Sequence, residues 1–141
     1  MRRKIVSQKG ASAVEFALVL PLLIMLTFGI IEFGFYLFNK QVITNASREG
    51  ARAGIVARAP RLPDTGTDSI TAVVRKYCGT HLITFGASNT PNINLIGYDP
   101  SALFGQELTV EVTYTYGFIV MPGFISGLAG NMKAVSVMRY E

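Results

Sequence analysis

The feature that most limits what this chain can fold into is the stretch between Glu15 and Glu32, which carries no charge at all. Apolar residues continue through Phe33, Phe35, Tyr36, Leu37 and Phe38, so Glu32 is the one charged residue from Phe16 to Phe38. At ~1.5 Å per helical residue this length crosses the ~30 Å hydrocarbon core of a bilayer. A membrane helix spanning about residues 16–38 is the expectation. The chain has 141 residues, which suits that helix plus one small outer domain.

The formal net charge of +4 is concentrated at one end. Arg2, Arg3, Lys4 and Lys9 all precede Ala11, and without them the chain is formally neutral. A nucleic-acid-binding domain needs a basic face on its folded part, so no nucleic-acid partner is expected. Basic residues ahead of an apolar helix hold that end in the cytoplasm, which predicts N-in, C-out topology. Lys40, Arg48 and Arg52, just past the apolar run, blur this rule. Cys78 has no second cysteine to pair with, so an intrachain disulfide is excluded. It reads as a small buried apolar residue on a helix, with an intermolecular bridge as the other possibility.

Three readings fit the N-terminus. A secretory signal peptide would place its small residues after a shorter apolar core; here Gly10, Ala11, Ser12 and Ala13 come before a long one. A plain uncleaved membrane anchor is the second reading. The third takes Lys9-Gly10-Ala11-Ser12-Ala13-Val14-Glu15 as a unit: a short basic leader ending in glycine, a glutamate five residues on, then an unbroken apolar helix. This resembles the cleavage motif of type IV prepilins, and more closely the TadE-like pseudopilins of the tight-adherence (Tad/Flp) pilus system. The resemblance covers the first ~60 residues well and the end of the chain loosely. It implies that a prepilin peptidase cuts between Gly10 and Ala11 and that Glu15 becomes the fifth mature residue. Ala11 departs from the phenylalanine that opens many mature pilins, which leaves N-methylation open.

A carboxylate at the start of a membrane helix costs roughly 2.5–3.5 kcal/mol if it enters hydrocarbon unpaired. A neighbouring subunit's new α-amino group would partner Glu15, and a helix N-terminus also favours negative charge. Otherwise Glu15 sits in the headgroup layer. Pro21 removes one backbone bond and is expected to kink or loosen the helix, with Gly29 and Gly34 as further weak points. Glu32 either snorkels to the outer interface or pairs with a basic residue of a partner helix. Phe33, Phe35, Tyr36 and Phe38 have the character of an interfacial aromatic belt.

Helical spacing continues past Asn39. Val42, Ile43, Ala46, Gly50, Ala53, Gly54 and Ala57 share one face, and Glu49 lies within reach of Arg52. Ala46, Gly50 and Gly54 form a small-xxx-small ladder. It packs either on the protein's own outer domain or on another subunit. The segment from Ala46 to Ala53 again resembles TadE-like proteins. One helix from about Ser12 to Arg58 would be ~70 Å long.

Pro60, Arg61, Leu62 and Pro63 break the helix. A second helix follows, capped by Asp68 and ended by Gly79, with Ile70, Val73, Val74, Tyr77 and Cys78 on its apolar face. Ile93 to Tyr98 reads as a short strand followed by a turn through Ser101. Gln106 to Phe118 alternates apolar and polar residues as a half-buried strand does, and Met132 to Tyr140 reads as another. Ile119 to Gly130 is too apolar for an ordinary loop; it is read as a lid over the sheet, or as a tip touching the outer leaflet or a pilus partner.

No catalytic constellation stands out. His81 is a lone histidine, no Cys/His cluster suggests a metal, and the surroundings of Ser126 do not match a nucleophile elbow. No cofactor is expected. The fold expectation is α+β: a long N-terminal transmembrane, pilin-like helix packed on a small antiparallel sheet head with a second helix. Residues 1–10 would be the leader, 11–59 the long helix and 60–141 the extracytoplasmic head. The resemblance implies a single-pass inner-membrane pseudopilin or minor pilin. Its partners would be a prepilin peptidase, other pseudopilins, the major pilin, the inner-membrane assembly platform and membrane lipid. The alternative is an unprocessed single-pass protein whose head binds a ligand or envelope component.

Overall fold

The structure is a computed structural model and describes residues 8–56, 61–86, 88, 90–118 and 130–140. Helix α1 runs Gln8–Ile55, 48 residues, which at 1.5 Å per residue is about 72 Å. It passes Pro21 as one continuous helix. Helix α2 (Ile70–His81) follows, then strands β1 (Asn92–Ile96), β2 (Glu107–Tyr116) and β3 (Gly130–Arg139). The strands form an antiparallel sheet of order β1-β2-β3. In the register of the sheet, Leu95 faces Val110 and Val112 faces Ala134. The long apolar helix, second helix and small antiparallel sheet make the class α+β.

The alternation in β2 buries Leu108, Val110, Val112, Tyr114 and Tyr116 against the outer half of α1. Met132, Ala134 and Ser136 of β3 join them. Val74 and Cys78 of α2 complete the core beside Ile43 and Ala46 of α1. The opposite sheet face is polar or open, with Lys133 pairing Glu111 at 2.9 Å. Gly97, between β1 and β2, has φ +75, and a Cβ there would overlap the Glu107 carbonyl oxygen.

Several local details differ from the sequence expectation. Ser69, not Asp68, caps α2: its Oγ accepts from Ala72 N–H at 3.0 Å. Bonds from Ile70 N–H to Pro63 O and from Thr71 N–H to Asp64 O fix that entry, so Asp68 stays exposed outside the first turn. Gly79 lies inside α2, which closes at Leu82 through its N–H to Cys78 O. The apolar segment 119–129, read above as a lid or tip, lies outside the described residues.

Candidate functional site along the rod

The inner part of α1 stands clear of the rest of the chain. From Gly10 to Ile31 every residue is exposed, apart from half-buried Gly29. Exposed apolar side chains point all round it, Val14, Phe16, Leu22, Leu26 and Ile30 among them. A soluble helix hides such a face against its own domain, so this segment needs an apolar surrounding from elsewhere. By length and composition α1 can cross a membrane, and it fits a single-pass anchor.

The expected processing bond, Gly10–Ala11, falls in the first turn of α1 and is exposed. Glu15, also exposed, lies one helical turn beyond Ala11, so the two share a face. Residues 2–4 of the basic leader lie outside the described residues.

Glu32 sits elsewhere than at an open interface. It is 5% exposed, and its Oε1 accepts from the Tyr116 hydroxyl at 2.8 Å. Tyr36 and Phe118 each meet the Tyr116 ring edge-on, at centroid distances of 5.9 and 5.4 Å. Burial, then the bond to the Glu32 carboxylate, pushes the Tyr116 hydroxyl well above its ordinary pKa. The head thus reaches down the rod as far as Glu32 and supplies its carboxylate with a donor.

Two further polar contacts join rod and head. Asn39, fully buried, donates through Nδ2 to Ile83 O at 2.8 Å and accepts from Ile83 N–H at 3.0 Å. Its amide pairs both backbone groups of one residue, as a strand neighbour would. Higher up, the Ser47 and Ser136 hydroxyls bond at 2.8 Å in the core. Lys40 Nζ donates to Lys133 O at the β3 edge.

The small-residue ladder faces the protein's own head. Ala46 is fully buried. A Cβ on Gly50 would overlap Val74 Cγ2, and one on Gly54 would lie 2.5 Å from Leu108 Cδ2. Close docking of α2 and β2 therefore requires both glycines. The Glu49–Arg52 pair forms at 2.8 Å on the exposed side, and the guanidinium lowers the Glu49 pKa.

The face expected from helical spacing starts at Val42, with either the protein's own head or another subunit as its partner. The head-facing stripe starts at Glu32 and runs through Tyr36, Asn39, Ile43, Ala46 and Gly50. Its spacing of three and four was readable; the polar members hid it. The contribution of Tyr116 was concealed by its place in a regular strand.

Cys78 is fully buried, and desolvation raises its thiol to about 11. His81, exposed at the end of α2, stacks on Tyr77 at 4.4 Å. Among the described residues no group of three His, Cys, Asp or Glu side chains is placed to hold a metal ion.

These features define a rod-and-head protein: a bare apolar half-rod fitted to a membrane, and an α+β head folded on the other half. The family model for TadE-like proteins matches residues 10–52, which is nearly the whole of α1, and over that stretch the chain is similar to TadE-like proteins. That likeness suggests a membrane protein associated with the Tad pilus. No curated protein and no solved structure matches the chain.

Proposed function

We propose that this protein is a processed pseudopilin or minor pilin that takes part in assembling a Tad-type pilus. The observation that carries the reading is the bare rod from Gly10 to Ile31, inside the TadE-like match, with Glu15 near its inner end. A prepilin peptidase cuts after Gly10. Cleavage requires the first turn of α1 to open, and glycine inside a helix costs roughly 1 kcal/mol against alanine, which favours fraying there. Ala11 then carries a new α-amino group one turn from Glu15 on the same helix.

The head lies on the extracytoplasmic side of the inner membrane while the bare rod lies in lipid. In assembly the rod exchanges lipid for the helices of other pseudopilins, the major pilin and the assembly platform. Glu15 exchanges water or its own terminus for the α-amino group of a neighbour. The small-residue ladder contributes indirectly, by holding the head tight to the rod so that both move as one body.

Two measurements test this. Mass spectrometry of the membrane-extracted protein should find Ala11 as the first residue; an intact leader in cells carrying the peptidase refutes the processing. The protein should also co-purify with sheared surface filaments or with the platform. Absence from both refutes the part in assembly, and absence together with an intact leader leaves the unprocessed single-pass alternative.

A further inference from the structure

The lower rim of the head is built differently from the rest of it. After α2 the chain comes down the rod: Ile83 is held by Asn39, and two residues later Phe85 packs edge-on against Phe35 at 5.1 Å. On the other side Tyr116 reaches Glu32, and Gly130 lies against Tyr36. Both ends of the head therefore stop at the level of residues 32–39 of α1.

That level lies just above the bare rod. From Ala11 to Ile31 the rod measures about 31 Å at 1.5 Å per residue, close to the ~30 Å of a bilayer core. The rim then falls in the headgroup layer on the head's side. Exposed Phe33, Leu37 and Phe38 of α1 lie at the same height.

Charge is sorted by height in the same way. No Asp, Glu, Lys, Arg or His occurs in residues 33–39, 82–86 or 114–118, the described stretches at the rim. The carboxylate at this level, Glu32, is buried and hydrogen-bonded. The ion pairs Glu111–Lys133, Glu49–Arg52 and Glu107–Arg139 all belong to higher parts of the head and rod. A surface meant for water has no reason to exclude charge over three separate stretches, whereas one seated in lipid headgroups does.

Phe85 shows that the arrangement is maintained at a cost. Its backbone is left-handed, with φ +46, where a bulky residue is strained, and its side chain remains 57% exposed. The contact with Phe35 covers only part of the ring.

We propose that the head is itself seated in the membrane, with Phe85 on the descending loop entering the acyl–headgroup boundary as a lipid contact separate from α1. The surface it fits is a phospholipid leaflet, continuous with the one that surrounds the bare rod. Aromatic rings partition to this layer. The second contact fixes the tilt and rotation of the rod, which a single helix leaves free. It also presents the head in one orientation to whatever takes it out of the membrane. This rests on the membrane-anchored reading of α1.

The chain has no tryptophan, so single-tryptophan variants report depth without background. Full-length Phe85→Trp, Phe28→Trp and Phe104→Trp proteins are reconstituted in phosphatidylcholine vesicles carrying lipids brominated at shallow or deep positions. Phe28 is in the bare rod, and Phe104, 88% exposed, lies on the β1–β2 loop at the opposite end of the head. The expected result is blue-shifted emission from Phe85→Trp, quenched several-fold more by shallow bromines than by aqueous acrylamide. Phe28→Trp should be quenched by deep bromines and Phe104→Trp by acrylamide alone.

If Phe85→Trp behaves like Phe104→Trp while Phe28→Trp reports deep lipid, the seating is overturned and the anchor stands. If Phe28→Trp is also untouched by lipid bromines, the anchor reading falls and the seating with it. As a second probe, Phe85→Cys is labelled with an environment-sensitive dye, with which buried Cys78 does not compete. A dye that brightens on reconstitution supports the seating, and an unchanged dye in a protein of native circular dichroism overturns it.

Discussion

The Tyr116 hydroxyl donates to the Glu32 carboxylate across 2.8 Å, joining residues 84 apart in sequence at the place where rod and head part. Both side chains are almost fully buried. Removing one member of such a pair leaves the other desolvated, which costs more than the bond itself contributes. Tyr116→Phe keeps the ring contacts to Tyr36 and Phe118 while deleting the donor. It should destabilise the head on the rod by about 1–3 kcal/mol, read as a lower midpoint in chemical denaturation of the micelle-bound protein. Glu32→Gln in the Tyr116→Phe background should recover part of the loss, because a neutral amide is cheaper to bury.

Alkaline pH gives a second test. Burial raises Tyr114 and Tyr116, and holds the Cys78 thiol up from 9.0 to about 11. These groups keep their protons longer folded than unfolded. Their contribution is therefore complete below the unfolded pKa values and is lost as pH rises through the folded ones. Stability should decline from about pH 9 to about pH 11 for the cysteine, and further for the tyrosines. Cys78→Ala should flatten the first part of that decline. In the native protein at neutral pH, Cys78 should resist iodoacetamide and form no intermolecular disulfide, reacting once the chain is denatured.

The two kinds of glycine on α1 should answer differently to alanine. At Gly50 the added methyl overlaps Val74, a neighbour fixed in the core. Overpacking of this kind costs roughly 1–3 kcal/mol, against about 1 kcal/mol gained in helix propensity, so Gly50→Ala should be destabilising or at best neutral. At Gly34 an added Cβ meets nothing within 4 Å, and Gly34→Ala should stabilise the isolated protein by up to about 1 kcal/mol. Thermal melts of both variants in one detergent decide the sign. Impaired filament assembly in a Gly34→Ala protein of raised stability would place a neighbouring helix on that face.

What the sequence made legible follows from where the physical signal resides. The charge-free run and the alternation from Leu108 to Tyr116 are local patterns, and they predict α1 and β2 directly. The junction is not local. Glu32, Tyr36 and Asn39 look like interruptions of an apolar run until their partners arrive from residues 116, 130 and 83. Glu32 was accordingly expected at an open interface or against a partner helix, and the sheet covers it instead. The cap of α2 shows the same limit at small scale, since Asp68 and Ser69 both carry a capping oxygen. The bonds that Pro63 and Asp64 make to Ile70 and Thr71 select the serine. The strained Phe85 backbone is set by the descent of a whole loop, and no propensity encodes it.

Glu15 carries the last prediction. It is exposed on the bare rod, one turn from Ala11, and the head lies far along the helix from it. Substituting it should therefore leave the fold and melting midpoint of the head unchanged. Inside a bundle of rods the charge needs a partner, and an unpaired carboxylate in hydrocarbon costs roughly 2.5–3.5 kcal/mol. Glu15→Leu removes that cost together with any pairing to a neighbour's α-amino group. Glu15→Leu and Glu15→Ala proteins should still be cut after Gly10, seen by mass spectrometry, and should still reach the membrane. Piliation, scored by recovery of sheared filaments, should fall sharply. Glu15→Asp should restore part of it, because the shorter carboxylate keeps its charge but reaches less far. If the leucine variant assembles as well as the parent, the charge has no part in assembly, and the apolar surface of the rod alone brings the subunits together.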